Sequence, residues 1–220
     1  MDKLTKKEIQ KNKEDYIAIF EQKIVPQYSK AKELLDWIKT TDFFSAPASA
    51  KYHSSFEGGL CLHSLLVYDR MLEQVESYAK YFDNFTIEEQ LGTTEAGIAL
   101  ISLCHDLCKI GMYEQYWQNV KEYNENGKQQ DNVGSFDWVQ QPAYKYKDSF
   151  PLGHGSKSMY ILLRMGIDLS VSEVSAIYHH MGGMGDGEKG FADSASKYPL
   201  VLMLHVADIQ ATFLDEQYNV

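Results

Sequence analysis

Along most of the chain, apolar residues recur three or four positions apart, the spacing of one face of an α-helix. The pattern predicts helices over about residues 5–25, 28–39, 60–81, 87–110, 155–165, 170–180 and 199–214. Thr86 and Glu89 have the spacing of a capping box and predict the start of the fourth helix, which should be irregular near Gly92. Residues 96–107 are nearly all apolar, so this helix should be central.

The segment from Met112 to Gly153 has a different residue pattern. Its aromatic residues are spread among polar ones around the turn-like run Asn124-Glu125-Asn126-Gly127. We interpret it as an irregular insertion with a short β-hairpin. The predicted fold is therefore all-α, a helical bundle with one insertion at about residues 112–153. The glycine-rich run from Met181 to Gly190 predicts either a loop that approaches a ligand closely or an ordinary surface loop.

Length and composition indicate one domain. The chain has 220 residues, of which 44% are hydrophobic, and this suffices for one sizeable core. No run approaches eighteen uncharged apolar residues, and the first residues lack the apolar stretch of a signal peptide, so we expect a cytoplasmic protein that does not enter a membrane. The cysteines, Cys61, Cys104 and Cys108, are odd in number and are expected to be reduced core thiols.

The formal net charge of -10 at pH 7 disfavours general binding to duplex nucleic acid, because affinity for a polyanion comes largely from lysine and arginine. A small anionic substrate remains compatible with this charge, since a bound metal would supply local positive charge.

Histidine and aspartate residues occur within the apolar helical segments. They are His63, the pair His105-Asp106, His154, the pair His179-His180, and Asp208. A single histidine in such a place is more often a core residue than a ligand. The prediction of a metal site therefore rests on the whole set of residues. Imidazole and carboxylate groups that project inward from several helices are how helical proteins bind first-row divalent metals. An aspartate such as Asp106 among apolar neighbours also needs a cation or a hydrogen bond.

In this order, the residues resemble the HD superfamily, whose pattern is a His, a His-Asp pair, often two further His, and a distant Asp. Lys109 completes a His-Asp-x-x-Lys form. The chain is most similar to the HD domain of bacterial 3′–5′ exoribonucleases and to the HD-like part of certain mobile-element relaxases. That similarity rests on Ala46-Pro47-Ala48-Ser49-Ala50-Lys51-Tyr52-His53, Gly58-Gly59-Leu60, Leu152-Gly153-His154 and the glycines after His180.

The resemblance implies one HD domain over residues 1–220, with an N-terminal helical extension at 1–45 and a catalytic core at 46–215. The exoribonucleases carry an oligonucleotide-binding domain ahead of the HD domain, whereas this chain has about fifty residues there with a helical pattern.

The resemblance also implies one or two divalent metal ions, which could be manganese, iron, magnesium, cobalt, nickel or zinc. One ion would be held by His63, His105, Asp106 and Asp208, and a second by Asp106, His154 and either His179 or His180. Adjacent helical residues point about 100° apart, so one histidine of the pair is expected in the site, and we favour His179.

Asp106 and Lys109 would be catalytic, and Lys109 could neutralise a substrate phosphate. His53, Lys109, Gly182 and Gly183 would contact the substrate. His205 is expected to be a plain buried histidine, with a supporting role near Asp208 as the alternative.

These residues predict a metal-dependent phosphohydrolase in which a metal-activated hydroxide attacks a phosphate ester. The substrate would be a nucleotide, another phosphorylated small molecule or the end of a short single-stranded nucleic acid, and the aromatic insertion could supply a stacking wall for a base. The alternative is a non-catalytic nucleotide- or partner-binding HD module of a phage or mobile element. Monoesterase, diesterase and triphosphohydrolase activity remain open, as does the oligomeric state.

Overall fold

The structure, a computed structural model, describes residues 4–148, 150–183 and 190–216. The helices in these ranges are α1 (Lys6–Ile19), α2 (Ala31–Thr40), α3 (Gly59–Ala79), α4 (Ile87–Leu91), α5 (Glu95–Cys104), α6 (His154–Arg164), α7 (Val171–His179), α8 (Phe191–Lys197) and α9 (Pro199–Gln210). The strands are β1 (Tyr113–Tyr123), β2 (Gln129–Gln130) and β3 (Ser135–Tyr146). π-helical turns at Phe20–Ile24 and Ala211–Asp215 extend α1 and α9, and a 3-10 turn at Leu107–Lys109 follows α5.

The predicted all-α class is wrong, because the described residues are 54% helical and 12% strand and include a three-stranded antiparallel sheet. The strand order is β1-β3-β2, and β1 pairs with β3 over its full length, from Tyr113 opposite Tyr146 to Tyr123 opposite Phe136. The sheet occupies the segment that we interpreted as an irregular insertion with a short β-hairpin. The hairpin is present, but its two main strands have 11 and 12 residues and are longer than the short hairpin expected.

Aromatic side chains stabilise the far end of this hairpin. Trp117, Tyr123, Phe136 and Trp138 lie on one face of the strand pair, since paired and alternate residues share a face. Phe136 is buried beneath its neighbours, and the ammonium of Lys121 lies 4.4 Å from the centre of its ring. These cross-strand contacts explain why a polar-looking segment forms strands.

Helices α3, α5, α7 and α9 form the core that positions the site. α3 packs on α5 and α9, and α7 packs on the same two helices. Every residue from Ala96 to Cys104 is buried, which confirms that this helix is central. The core is completed by apolar side chains such as Val67, Met71, Ile177 and Leu204.

The long helix predicted over residues 87–110 is divided in the structure. Gly92 ends α4 with a left-handed φ of 64°, and Thr94 begins α5 by accepting a hydrogen bond from the Gly97 amide. Thr86 caps α4 through the Glu89 amide, as predicted. Helix α8 was not predicted.

Cys61, Cys104 and Cys108 are buried free thiols. Among the described residues, no helix combines the length and the apolar character needed to cross a membrane.

Candidate metal centre

Histidine and aspartate side chains from four helical segments meet in the protein interior. His63 lies in the second turn of α3, and Asp208 lies near the end of α9. His105-Asp106 and His180 directly follow α5 and α7, so two helix ends bring their side chains to the same place. His63, His105 and His180 are fully buried, and Asp106 is nearly so.

The Nε2 atom of His63 is the hub of this cluster. It lies 3.2 Å from Nε2 of His105, 3.2 Å from Oδ1 of Asp208 and 3.5 Å from Oδ2 of Asp106. Neighbouring ligand atoms that each lie about 2.1 Å from one six-coordinate ion are separated by about 3 Å. The ligand atoms of His63, His105 and Asp208 all lie within 4.8 Å of one another and therefore fit a single divalent ion, with Oδ2 of Asp106 beside His63.

Oxygen partners fix the orientation of the three buried histidines. Nδ1 of His63 lies 2.5 Å from Oε1 of Glu216. Nδ1 of His105 and Nδ1 of His180 each lie 2.8 Å from a backbone carbonyl, those of Ser102 and Ile177. When the Nδ1–H donates to such an oxygen, the lone pair of Nε2 is left for a metal. Each of these rings turns Nε2 towards Asp106.

The two carboxylate oxygens of Asp106 face different groups. Oδ2 lies near His63 and His105, whereas Oδ1 lies 3.5 Å from Nε2 of His180. Oδ1 also accepts a hydrogen bond from Sγ of Cys108 at 3.6 Å, and this sulfur lies 3.7 Å from Nδ1 of His154. Asp106 thus belongs to a second group of donors, with Cys108 and His154, whose ligand atoms lie within 4.8 Å of one another and could hold a cation.

The structure brings His180, and not His179, to the cluster. Nε2 of His180 is buried, has no hydrogen-bond partner within the described residues, and points at Asp106. Nε2 of His179 lies 3.0 Å from the hydroxyl of Ser194, and its ring packs edge-on against Tyr178. This reverses our preference for His179. The direction in which each of the two adjacent side chains points at the end of α7 decides which imidazole ring faces inward.

Lys109 forms a buried ion pair with Asp106, with Nζ 2.6 Å from Oδ2. Burial would raise the pKa of Asp106, but Lys109 and His105 hold it well below its usual range. Burial likewise opposes the charged form of His63, yet Glu216 and Asp208 raise the pKa of His63 to about 10. The cluster is therefore a strongly coupled set of charges in the interior.

The cluster opens into a cavity of about 460 Å³. Asp106, Lys109, His154, His180 and Asp208 line it together with aromatic and aliphatic residues. His53 lies in its wall, with its ring centre 5.1 Å from that of His63. Burial and the neighbouring His63 lower the pKa of His53 to about 4, so this ring is neutral at physiological pH.

The glycines after His180 have different surroundings. A Cβ atom on Gly182 would lie 2.1 Å from the ring of His205, so Gly182 permits close packing against that histidine. Gly183 has open space around it, and residues 184–189 of the predicted loop lie outside the described residues. Nδ1 of His205 lies 2.7 Å from the backbone carbonyl of His180, and the side chain is half-buried rather than fully buried.

Sequence reasoning missed Glu216 and the position of Cys108. Glu216 is close to His63 only because α9 and its π-helical turn fold back against α3. Cys108 was interpreted as a core thiol, and it is buried, but it also contacts Asp106.

A larger depression of about 580 Å³ lies elsewhere, next to Tyr28, Thr93 and Glu173. The carboxylate of Glu173 already accepts hydrogen bonds from Tyr28 at 2.8 Å and Thr93 at 2.6 Å. No histidine lines this depression, so the smaller cavity is the better candidate site.

The geometry brings together buried side chains that could ligate a metal at one end of a cavity. Function has to be argued from that geometry, because no protein-family model, no curated protein and no solved structure matches this chain.

Proposed function

We propose that this protein is a cytoplasmic, HD-type metal-dependent phosphohydrolase. Its substrate is a phosphate ester of a nucleotide or of the end of a short single-stranded nucleic acid. The observation that carries the proposal is the convergence of Nε2 from three histidines on Asp106 and Asp208 at the inner end of a cavity.

Two neighbouring groups of residues would hold the metal. His63, His105 and Asp208 form one group of close ligand atoms, and Asp106 forms a second with Cys108 and His154. His180 would join the second group, since its Nε2 lies 3.5 Å from Oδ1 of Asp106. The orphaned Nε2 of His180 supports this assignment, because a buried nitrogen without a partner is costly unless something binds it. When bound, such ions activate a water molecule and stabilise charge on the phosphoryl oxygens.

The protein's own groups orient the reacting phosphate. Lys109 is buried and lines the cavity beside Asp106, so its ammonium lies where a phosphoryl oxygen would need a counter-charge. His53 is neutral and lines the same wall, and it can donate or accept one hydrogen bond.

The test combines elemental analysis with hydrolysis assays on bis-p-nitrophenyl phosphate and a panel of nucleotides, with manganese added. We expect one to two metal ions per chain in the wild type and activity that a chelator abolishes. Because removing a metal ligand forfeits several kcal/mol of transition-state stabilisation, Asp106→Ala should lower kcat/KM by at least about 100-fold.

A matched pair of histidine variants provides the control. His180→Ala should lose metal and activity, whereas His179→Ala should keep both, since His179 contacts Ser194 outside the cluster. Full activity in Asp106→Ala would contradict the proposal. A wild type with no metal and no turnover, but with tight nucleotide binding, would favour the alternative of a binding module.

A further inference from the structure

The outer end of the 460 Å³ cavity differs chemically from its inner end. Tyr52, Tyr113 and Phe213 line the cavity together with the aliphatic chain of Ile209. Tyr52 and Phe213 remain 87% and 56% exposed, so two large rings face solvent beside the metal centre. Exposed aromatic rings at the rim of a concave site are typical of ligand contacts.

These rings come from three separate parts of the fold. Tyr52 belongs to the loop between α2 and α3, Tyr113 begins β1, and Phe213 lies in the π-helical turn that extends α9. Phe213 follows the candidate ligand Asp208 by five residues on the same helical segment. The segment that carries a metal-ligating group therefore also carries a ring at the cavity.

Most of the exposed lining of the cavity is apolar. Polar side chains outside the metal cluster also line it, namely those of Ser49, Tyr52, His53, Lys109, Tyr113, His205 and Thr212. Several are already engaged: the Ser49 hydroxyl donates to the carbonyl of His53 and accepts from the Tyr52 amide, each at 2.8 Å, and the Tyr113 hydroxyl is directed at the Ala48 carbonyl, 3.5 Å away. The walls therefore offer an aromatic face more readily than partners for the hydroxyl groups of a sugar or for the edge of a base.

We infer that the outer end of this cavity binds the base of a nucleotide by stacking on Phe213, without selecting which base. The inference rests on the proposed function and adds how the base of that substrate is bound. Every base has a flat π-face that an aromatic ring accepts, whereas discrimination between bases needs hydrogen bonds to their edges. A cavity of this size holds one nucleotide with its phosphate at the metal end.

The experiment compares two phosphodiesters that share a leaving group, p-nitrophenyl thymidine 5′-phosphate and methyl p-nitrophenyl phosphate. A monoester pair, adenosine 5′-monophosphate and ribose 5-phosphate, covers the other reaction type. In each pair, only the first substrate has a base. We expect Phe213→Ala to lower kcat/KM about 5- to 150-fold for the substrate with a base, and to leave the other unchanged.

Two variants separate stacking from a general defect. Phe213→Tyr retains a ring and should retain wild-type preference, and Leu214→Ala removes a neighbouring exposed side chain that does not line the cavity. Saturation-transfer NMR with the four nucleoside monophosphates provides a readout independent of turnover. Base protons should receive saturation from the wild type and lose it in Phe213→Ala, with affinities for the four within about tenfold of one another.

The outcomes distinguish the two proposals. An equal loss on both members of a pair, or one base preferred by far more than tenfold, would overturn the stacking inference while the phosphohydrolase stands. If the wild type hydrolyses none of the four esters, nor bis-p-nitrophenyl phosphate or any nucleotide of the panel, the proposed function fails. The NMR contacts then still decide whether Phe213 binds a base.

Discussion

Glu216 holds the ring of His63 in the orientation that the cluster requires. Its Oε1 atom lies 2.5 Å from Nδ1 of His63, and this contact turns Nε2 towards His105 and Asp208. A carboxylate that hydrogen-bonds a ligating histidine fixes its tautomer and makes the ring a better ligand.

We predict that Glu216→Ala lowers metal affinity about 10- to 100-fold, because the His63 ring loses its anchor. Glu216→Gln should have a smaller effect, since the amide oxygen still accepts from Nδ1. Calorimetric titration of the metal-free protein with manganese would measure both. Asp215→Asn is the control, because Asp215 pairs with Arg70 and not with the cluster. Equal losses at both positions would contradict the role of Glu216.

Some of these residues were predictable from sequence and others were not. Polar residues in apolar helices stand out, because burying them costs free energy unless they are hydrogen-bonded or paired with a charge. This applies to His63, the pair His105-Asp106 and Asp208. The choice between His179 and His180 depends on a rotation of about 100°, and sequence spacing does not resolve it. Glu216 has no distinguishing pattern, because its contact joins residues 153 positions apart.

At the scale of elements, the crossing of α6 and α7 positions one wall of the site. Gly155 lies in the first turn of α6, next to His154, and packs against the backbone of α7. A Cβ atom there would lie 2.1 Å from the Tyr178 carbonyl oxygen. Only glycine permits the two helices to approach so closely.

We predict that Gly155→Ala destabilises the protein by about 1–3 kcal/mol, because the helices must separate. It should also impair activity by displacing His154. Denaturant unfolding and the hydrolysis assay would measure the two effects. Gly134→Ala is the matched control, since its new Cβ would meet one ring atom at 3.9 Å, and its effect should stay within about 0.5 kcal/mol. Similar stabilities for both variants would show that the crossing tolerates a methyl group.

The elements differ in how clearly the sequence encodes them. Most helices follow the apolar spacing, and Gly92 divides α4 from α5 where an irregularity was expected. The extent of the sheet was underestimated, because polar residues such as Gln115, Gln118 and Asn119 interrupt the alternation of apolar and polar positions that predicts a strand. Its stability comes from cross-strand pairs, which a linear pattern does not contain.

At the scale of the whole molecule, the hairpin and the helical core have separate sources of stability. Beyond the pair Gln118–Gln141, the strands are stabilised by each other and by the cluster around Phe136. The core residues of the helices lie in another cluster that does not include Phe136.

We predict that replacing residues 119–140 by Asn-Gly, which joins Gln118 to Gln141 in a two-residue turn, keeps the helical core intact. The midpoint of thermal unfolding should change by less than about 4 °C, equivalent to about 1 kcal/mol. Leu100→Ala in α5 should cost about 2–5 kcal/mol for comparison, since Leu100 is fully buried. A shortened protein as unstable as Leu100→Ala would show that the hairpin supports the core.

The contact between His63 and Glu216 spans most of the chain, and this has a consequence for synthesis on the ribosome. A nascent chain that has emerged past Asp106 already exposes two histidines and a carboxylate of the cluster, but neither Asp208 nor Glu216 exists yet. It can offer a cation only part of the coordination shell. On the proposed function, stable capture of metal would therefore follow the completion of α9, and the ion would report the last stage of folding rather than nucleate the first.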